Sequence, residues 1–324
     1  MPDGSPPVVS VVLSFRNEAE VLPELLRRLT NVLASLRADY EVIFVNDASV
    51  DGSLALLTNA ARTDGRLKVM TMSRPFGPAE CALAGLAFSR GEAVVLMDAD
   101  LQDPPELIPT LVARWREGAD VVYTVRTVRH GESVLKSWLT RLAYRFLRVT
   151  ANIDLPVEAG DFRLLSRRVV HELLKLPERS PYLRGLVAWV GFKQVPVPYE
   201  RQPRFAGHTH FPVLRSVNPW RTLFSGLTSF STAPLAALLP LGLALSAGCC
   251  VAAAAIWIHP SWRARAPIAA VIGLGFGALA GLHLAGLGLL GVYIGRIYQE
   301  VRGRPRYIID SVVGLEDRWP HSRT

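Results

Sequence analysis

The sequence predicts an α/β fold: a doubly wound parallel sheet, followed by amphipathic interfacial helices and two transmembrane helices. Three observations carry that reading. Across residues 8–124, short apolar runs rich in β-branched residues alternate with helical patterns, as expected for strands covered on both faces by crossover helices. Residues 222–262 and 266–295 contain no Asp, Glu, Lys or Arg, and each stretch exceeds the ~20 residues that a helix needs to span a bilayer. Half of the 324 residues are hydrophobic and only 20% are charged, with a mean hydropathy of +0.24, which excludes disordered and fibrous classes.

Taken in order, strands are expected at 8–13, 41–45, 67–72, 93–97 and 120–124, separated by helices near 19–36, 52–62, 78–89 and 105–116. Such sheets bind ligands at the carboxyl ends of their strands, so the polar residues ending a strand are the candidates. These are Ser14, Arg16, Asn17 and Glu18 after the first strand, Asn46, Asp47 and Asp51 after the second, and Asp98, Asp100, Gln102 and Asp103 after the fourth. No strand is followed by a G-x-G-x-x-G or a P-loop, which removes support from dinucleotide and P-loop chemistry. The helix at 134–149 pairs Leu135, Trp138, Leu139, Leu142 and Phe146 on one face with Lys136, Arg141, Arg145 and Arg148 elsewhere, a basic amphipathic pattern suited to a membrane interface. A second interfacial segment is expected at 211–224, with Trp220 and Arg221 at headgroup level.

The spans are placed at 233–258 and 267–293, and Gly273, Gly275, Gly277 and Gly281 suit close helix packing. His283 reads as a hydrogen-bonded packing residue. The connection between the spans carries Arg263 and Arg265, whereas the outer flanks carry Arg215, Arg221, Arg296, Arg302, Arg304 and Arg306, so both termini are expected in the cytoplasm. The start, MPDGSPP, has no basic region and the first apolar run is too short for a signal peptide. The expected organisation is therefore a cytosolic domain at 1–210, a juxtamembrane segment at 211–232, two spans within 233–295 and a cytosolic tail at 296–324. Cutting before about Ser225 is expected to leave an α/β domain that still binds nucleotide.

The 36 Lys and Arg against 28 Asp and Glu give a net charge of +8, which suits nucleic acid, anionic lipid or a phosphorylated substrate alike. Three cysteines, Cys81 and the adjacent Cys249 and Cys250, form neither a disulfide framework nor a zinc-ligand pattern. The sharpest chemical signal is Asp98-Ala99-Asp100, where a strand runs straight into two carboxylates two residues apart. Such a pair suits Mg²⁺ or Mn²⁺ with substrate phosphates completing the shell. Its competing use, capping the next helix, falls more naturally to Asp103, which stands just before Pro104 and Pro105.

Beyond these signals, several motifs occur in order. They are Asn17-Glu18, Asn46-Asp47-Ala48-Ser49 with Asp51, Ser73-Arg74-Pro75-Phe76-Gly77, and Asp98 through Glu106. There follow Gly160-Asp161-Phe162-Arg163-Leu164-Leu165, Arg184-Gly185-Leu186-Val187, Arg204-Phe205-Ala206-Gly207, Phe230-Ser231, and Tyr293 through Glu300 with Arg304-Pro305. With them the chain resembles the family 2 glycosyltransferases of the GT-A fold, and among these the polyprenyl-phosphate glycosyltransferases, such as bactoprenol glucosyltransferase and dolichol-phosphate mannose synthase. The resemblance implies nucleotide contacts from Ser14, Arg16, Glu18, Val45, Asp47 and Ala99. It implies metal and diphosphate contacts from Asp98, Asp100 and Gln102, with Asp100 catalytic and Asp161 the candidate base. It implies acceptor-phosphate contacts from Arg126, Arg163, Arg204 and His210, of which Arg126 counts as catalytic.

The chain departs from the family pattern at Asn46, Pro78, His210 and Ser225. A histidine at 210 in place of lysine makes the local charge pH-dependent. The implied activity is an inverting, metal-dependent transfer of a hexose, with glucose from UDP-glucose the leading choice, to polyprenyl (undecaprenyl) phosphate. The implied partners are a UDP- or GDP-sugar, polyprenyl phosphate and the cytoplasmic face of the cell (inner) membrane, in a multi-pass protein, with a homo-oligomer (tetramer or dimer) and a partner flippase as further expectations and no nucleic acid. A processive polysaccharide synthase would carry Q-x-x-R-W and more spans. A catalytically weak protein that holds the lipid carrier for a flippase stays open at this stage.

Overall fold

Each strand and helix expected in the first 126 residues is present in the computed structural model, which describes residues 8–126, 159–178, 182–201, 235, 238–258 and 268–318. Strands β1 (Val9–Phe15), β2 (Tyr40–Asn46), β3 (Leu67–Met72), β4 (Ala93–Asp98) and β5 (Val121–Arg126) alternate with helices α1 (Leu22–Ser35), α2 (Ser53–Thr63), α3 (Pro78–Phe88) and α4 (Ile108–Arg116). Pro23 lies in the first turn of α1 and Pro78 in that of α3, where a missing N–H costs nothing. Beyond them come β6 (Ala159–Ser166), α5 (Arg167–Lys175), α6 (Leu183–Trp189), β7 (Gln194–Tyr199), α7 (Leu238–Ile258), α8 (Ile268–Val301) and β8 (Ile309–Val313).

The sheet runs in the order β7-β5-β6-β4-β1-β2-β3-β8. It is mixed rather than wholly parallel, which corrects the sequence reading. Strands β4, β1, β2 and β3 pair in parallel, as do β5 and β7, but β6 lies antiparallel between β4 and β5, and β8 runs antiparallel along β3. Strand direction was illegible because an apolar run such as Leu164-Leu165 is buried whichever way it runs; the path of the connection decides.

Alternate side chains fill two cores, as the two-residue period requires. Val9, Val11, Leu13 and Phe15 face α1, α2 and α4, whereas Val12, Ile43, Val45 and Met70 face α3 and α5. Helix α3 sits so close to the sheet that a Cβ at Gly85 would overlap the Val12 side chain, so a glycine is needed there for contact rather than for flexibility.

The segment from β8 to Arg318, within the stretch 296–324 expected only as a tail, returns to the domain. Strand β8 pairs with β3 from Val69 to Met72, Lys68 Nζ donates to the Gly314 carbonyl at 2.9 Å, and Arg318 donates to the Glu41 carboxylate at 2.8 Å and to the Phe88 carbonyl at 2.7 Å. Glu41 is fully buried.

Helices α7 and α8 touch each other. Their contact uses Gly242 beside Leu282 and Gly286 beside Leu238, whereas Gly273, Gly275 and Gly281, expected at the interface, have open space around them among the described residues. His283 Nδ1 lies 3.1 Å from the Leu279 carbonyl, in keeping with a packing role. Among the described residues, one helical stretch, Leu279–Val301, is long and apolar enough to cross a membrane. The interfacial helix at 134–149, the segment 211–232, Arg204, His210 and Ser225 lie outside the described residues.

Candidate functional site

The parallel register of β1 with β2 and β4 brings three strand ends side by side: Ser14 stands opposite Val45 on one side and Asp98 on the other. The loops leaving these strands each contain a non-glycine residue in the left-handed region, Asn17 (φ 54°), Ala48 (φ 52°) and Leu101 (φ 58°). Such conformations cost of order 1–3 kcal/mol each and persist where surrounding bonds over-determine them. Here those bonds are visible. Asn17 accepts from the Val50 N–H at 2.9 Å, while its own N–H donates to Ser49 Oγ at 3.0 Å. Asn46 accepts from the Ser49 N–H at 2.9 Å, and Ser53 Oγ accepts from the Glu18 N–H at 2.9 Å. Asp51 accepts from Ala19 and Ser53, and Asp100 accepts from the Gln102 N–H at 3.1 Å. Asn46 and Asp51 thus act as loop staples.

Asp47 is also spoken for: it is buried and accepts from the N–H groups of Phe76 at 2.6 Å and Gly77 at 3.2 Å. It therefore anchors the Ser73–Gly77 loop, in which the Arg74 guanidinium lies 4.1 Å from the Phe76 ring centre. Of the other expected nucleotide contacts, Arg16 is exposed and Glu18 is buried at the first strand end. Val45 and Ala99 place their side chains in the core, so only their main chains can face a nucleotide.

Asp98 is the electrostatic centre of the site. Burial pushes its carboxyl up to about 7, and the neighbouring carboxylates of Asp161, Asp100 and Asp103 push in the same direction while Arg201 opposes them. Ser14 Oγ lies 3.5 Å from it. Asp103 is not the helix cap expected from the sequence. It is buried and accepts from the Tyr199 hydroxyl, with Arg201 Nε 3.8 Å away, and the turn at Pro105 begins without a side-chain cap. The tyrosine comes from the end of β7, which no sequence spacing connects to residue 103.

Asp161, at the start of β6, is gripped by both forks of Arg184 from α6: Nε donates to Oδ1 at 2.6 Å, and Nη2 donates to Oδ2. Arg163, expected at an acceptor phosphate, is instead buried at 3% exposure. It donates to the Gly160 carbonyl at 2.7 Å and faces the Asp161 carbonyl at 3.4 Å, and burial lowers its pKa to about 10. A guanidinium spent on main-chain carbonyls under the sheet surface does not reach a ligand. Arg126 ends β5 opposite Tyr199; its side chain, like Arg204 and His210, lies outside the described residues.

Between these groups lies a cleft of about 200 Å³, whose lining combines the polar side chains of Ser14, Asp98, Asp161, Tyr182 and Arg184 with the apolar Pro78, Ala79, Ala82 and Leu183. Sequence reasoning missed Arg184, Arg201 and Tyr199 as site residues. Arg184 had a signal, since it opens the Arg184-Gly185-Leu186-Val187 motif; Tyr199 and Arg201 had none. Among the described residues, no three His, Cys, Asp or Glu side chains group as a metal cage.

The description "Glycosyl transferase family 2" matches residues 10–174, from β1 into α5. Among curated relatives, the uncharacterized glycosyltransferase YkcC of Bacillus subtilis (strain 168) is 39% identical over 95% of each chain. The prophage bactoprenol glucosyl transferase homolog of Escherichia coli (strain K12) is 33% identical over 94% of this chain and 99% of its own. Among solved structures, glucosyl-3-phosphoglycerate synthase from Mycobacterium tuberculosis, in complex with Mn²⁺, UDP and glucosyl-3-phosphoglycerate, is similar with a TM-score of 0.49 and 20% identity over 69% of this chain and 80% of that one, too distant to say anything of ligands. A family match that begins at the first strand, and relatives that share nearly the whole length, agree with carboxylates gathered at strand ends: the chain is a glycosyltransferase and belongs to glycosyl transferase family 2.

Proposed function

We propose that the protein transfers a hexose from a nucleoside diphosphate sugar to polyprenyl phosphate at the cytoplasmic membrane face, with inversion at the anomeric carbon. UDP-glucose and undecaprenyl phosphate are the leading donor and acceptor. The observation that carries this reading is the pairing of one cleft, lined by carboxylates, an arginine and apolar side chains, with relatives named bactoprenol glucosyl transferase that match 93–94% of the chain at 33% identity. A cleft with both charged and apolar lining fits a phosphate carried on a hydrocarbon tail.

Asp98 and Asp100, with Gln102, are the proposed holders of Mg²⁺ or Mn²⁺. The fit lies in hard oxygen donors and in a like-charged cluster, with Asp98 pushed up to about 7, that a divalent cation neutralises. Two carboxylates suffice where donor phosphates complete the shell. When bound, the ion would supply charge neutralisation for the departing diphosphate. Arg16 and Glu18 are the proposed nucleotide contacts, and Asp47 fixes the Ser73–Gly77 loop beside them.

In the transfer, an acceptor phosphate oxygen forms the new bond to the anomeric carbon, the bond from that carbon to the donor phosphate oxygen breaks, and the electron pair leaves on the nucleoside diphosphate. A phosphate monoester has a second pKa of ~6 and is already a competent nucleophile at neutral pH, so the chain's task is positioning rather than proton removal. Arg126, Arg204 and His210 are proposed additional cations for that phosphate.

Helices α7 and α8 are the proposed two membrane spans. The charge-free run 222–262 supports the first, and the six flanking arginines against two in the connection support cytoplasmic termini. The decisive experiment incubates purified full-length protein with labelled sugar nucleotides, undecaprenyl phosphate and Mg²⁺ or Mn²⁺. A lipid-soluble sugar phosphate of inverted configuration is expected. Polymer formation, or lipid binding without turnover, overturns the reading.

A further inference from the structure

Arg163, the cation that the β6 motif offers for the acceptor, faces inward, so another group must meet the phosphate in this part of the site. Among the described residues lining the cleft, Arg184 is the one cation. We propose that Arg184 binds the acceptor phosphate, and that Asp161 is its positioning partner rather than a base. This rests on the function proposed above.

Arg184 enters from α6, just after Leu183, which also lines the cleft. Its partner Asp161 shares the cleft with Asp98 and adds to the charge felt there. Both members of the pair are partly exposed, at 33% and 51%, so a ligand in the cleft can reach them. The grip on Asp161 uses Nε and Nη2 of the guanidinium, which fixes its plane. The same planar fork matches phosphate as well as carboxylate.

Asp161 is held in turn from below. Arg163 ties down the Gly160 carbonyl, and its Nη2 lies 4.0 Å from Asp161 Oδ1. The chain of contacts therefore runs from a buried arginine through a carboxylate to a partly exposed arginine, an arrangement that aims a cation. A carboxylate already accepting two charge-assisted hydrogen bonds is a poor proton acceptor, and the proposed acceptor brings no proton that must be removed. Pro78, Ala79 and Ala82 line the same cleft and give the first isoprene unit apolar contacts. Pro78, one of the departures from the family pattern, then has a role: it keeps that part of the lining uncharged.

The test uses full-length protein in detergent with UDP-glucose, undecaprenyl phosphate and Mg²⁺, comparing wild type with Arg184→Lys, Arg184→Ala and Asp161→Asn. Removing a charge-assisted contact to phosphate should lower kcat/KM for the lipid roughly 10- to 100-fold in Arg184→Ala, with UDP affinity by calorimetry kept within about threefold. Arg184→Lys should recover part of the loss. Asp161→Asn should raise the lipid KM more than it lowers kcat, and its pH profile should superimpose on that of wild type. If Asp161→Asn abolishes kcat and removes an acidic limb from the profile, or if Arg184→Ala weakens UDP and lipid equally, the assignment is overturned. Should Arg184→Ala fail to fold, Arg184→Lys carries the same comparison. Wild type that transfers nothing to any polyprenyl phosphate but does use another acceptor overturns the proposed function instead, a result distinguishable because it does not depend on the variants.

Discussion

Carboxylates at the two ends of the sheet sit in opposite surroundings. At the amino ends, Glu41 accepts from Ser10 Oγ at 2.7 Å, from the Arg90 N–H at 2.7 Å and from Arg318 at 2.8 Å. Nearby, Asp120 is buried and accepts from Arg168, from Ser166 Oγ at 3.2 Å and from the Lys193 N–H at 3.4 Å. At the carboxyl ends, Asp98 is pushed up to about 7, by burial first and then by three neighbouring acidic side chains. A buried charge that the protein has satisfied from its own groups holds the fold together. One held among like charges tends to mark a place where a ligand completes the electrostatics.

The largest effect is expected where a satisfied charge loses its partner. Arg318→Ala leaves Glu41 buried without its counter-ion and should cost about 3–5 kcal/mol of stability, read as a lower melting temperature. The double change Glu41→Gln with Arg318→Met should recover most of it. The same contact bears on the domain boundary: a domain cut before Ser225 lacks β8 and Arg318, so it should unfold more readily than the full chain. If Arg318→Ala melts like wild type, the amino-end network is not structural.

Next in size, Asp100→Ala and Asp98→Asn should fold normally, since each removes one of several repelling charges, yet should lose roughly 10²–10³ in transfer rate. Chelation should abolish turnover of wild type, and Mg²⁺ or Mn²⁺ should restore it. A loss of stability equal to the loss of rate would erase the contrast between the two ends.

Tyr199→Phe falls between the two classes. It withdraws a donor from the buried Asp103 and should cost about 1–3 kcal/mol in thermal stability; an effect on rate with none on stability would move Asp103 to the functional side of the comparison.

The smallest effect concerns acid. The Arg168 hydrogen bond holds the Asp120 carboxyl below the usual carboxylate range. Its folded-state pKa is therefore lower than its unfolded value of ~3.9, so the stabilisation is present above that value and is lost as pH falls through the folded pKa. Asp120→Asn should flatten the acid limb of melting temperature against pH and leave the neutral region nearly parallel to wild type. An unchanged acid limb would remove Asp120 from the satisfied class.

Much of this was legible along the chain because burial leaves a local trace. Buried strands such as Val42–Val45 read as apolar runs, the helices between them show their own spacing, and Asp98 and Asp100 stand out because two charges end an apolar strand. Arg163 and Arg184 show where that legibility stops. Both are arginines in recognisable motifs, and only packing makes one a buried brace and the other a cleft residue. Asp103 looked like a cap because capping is a local signal, whereas its partner Tyr199 is 96 positions away.

By itself, then, the sequence determined the alternation of strands and helices, the strand-end carboxylates and the charge-free runs 222–262 and 266–295, since each follows from periodicity or from the cost of burying charge within a few residues. The tertiary structure alone decided the antiparallel entry of β6, the return of β8 to the sheet, the pairing of Glu41 with Arg318 and that of Asp161 with Arg184. Those depend on which distant segments are brought to the same few ångströms, and hydrogen bonds and ion pairs act only over that range.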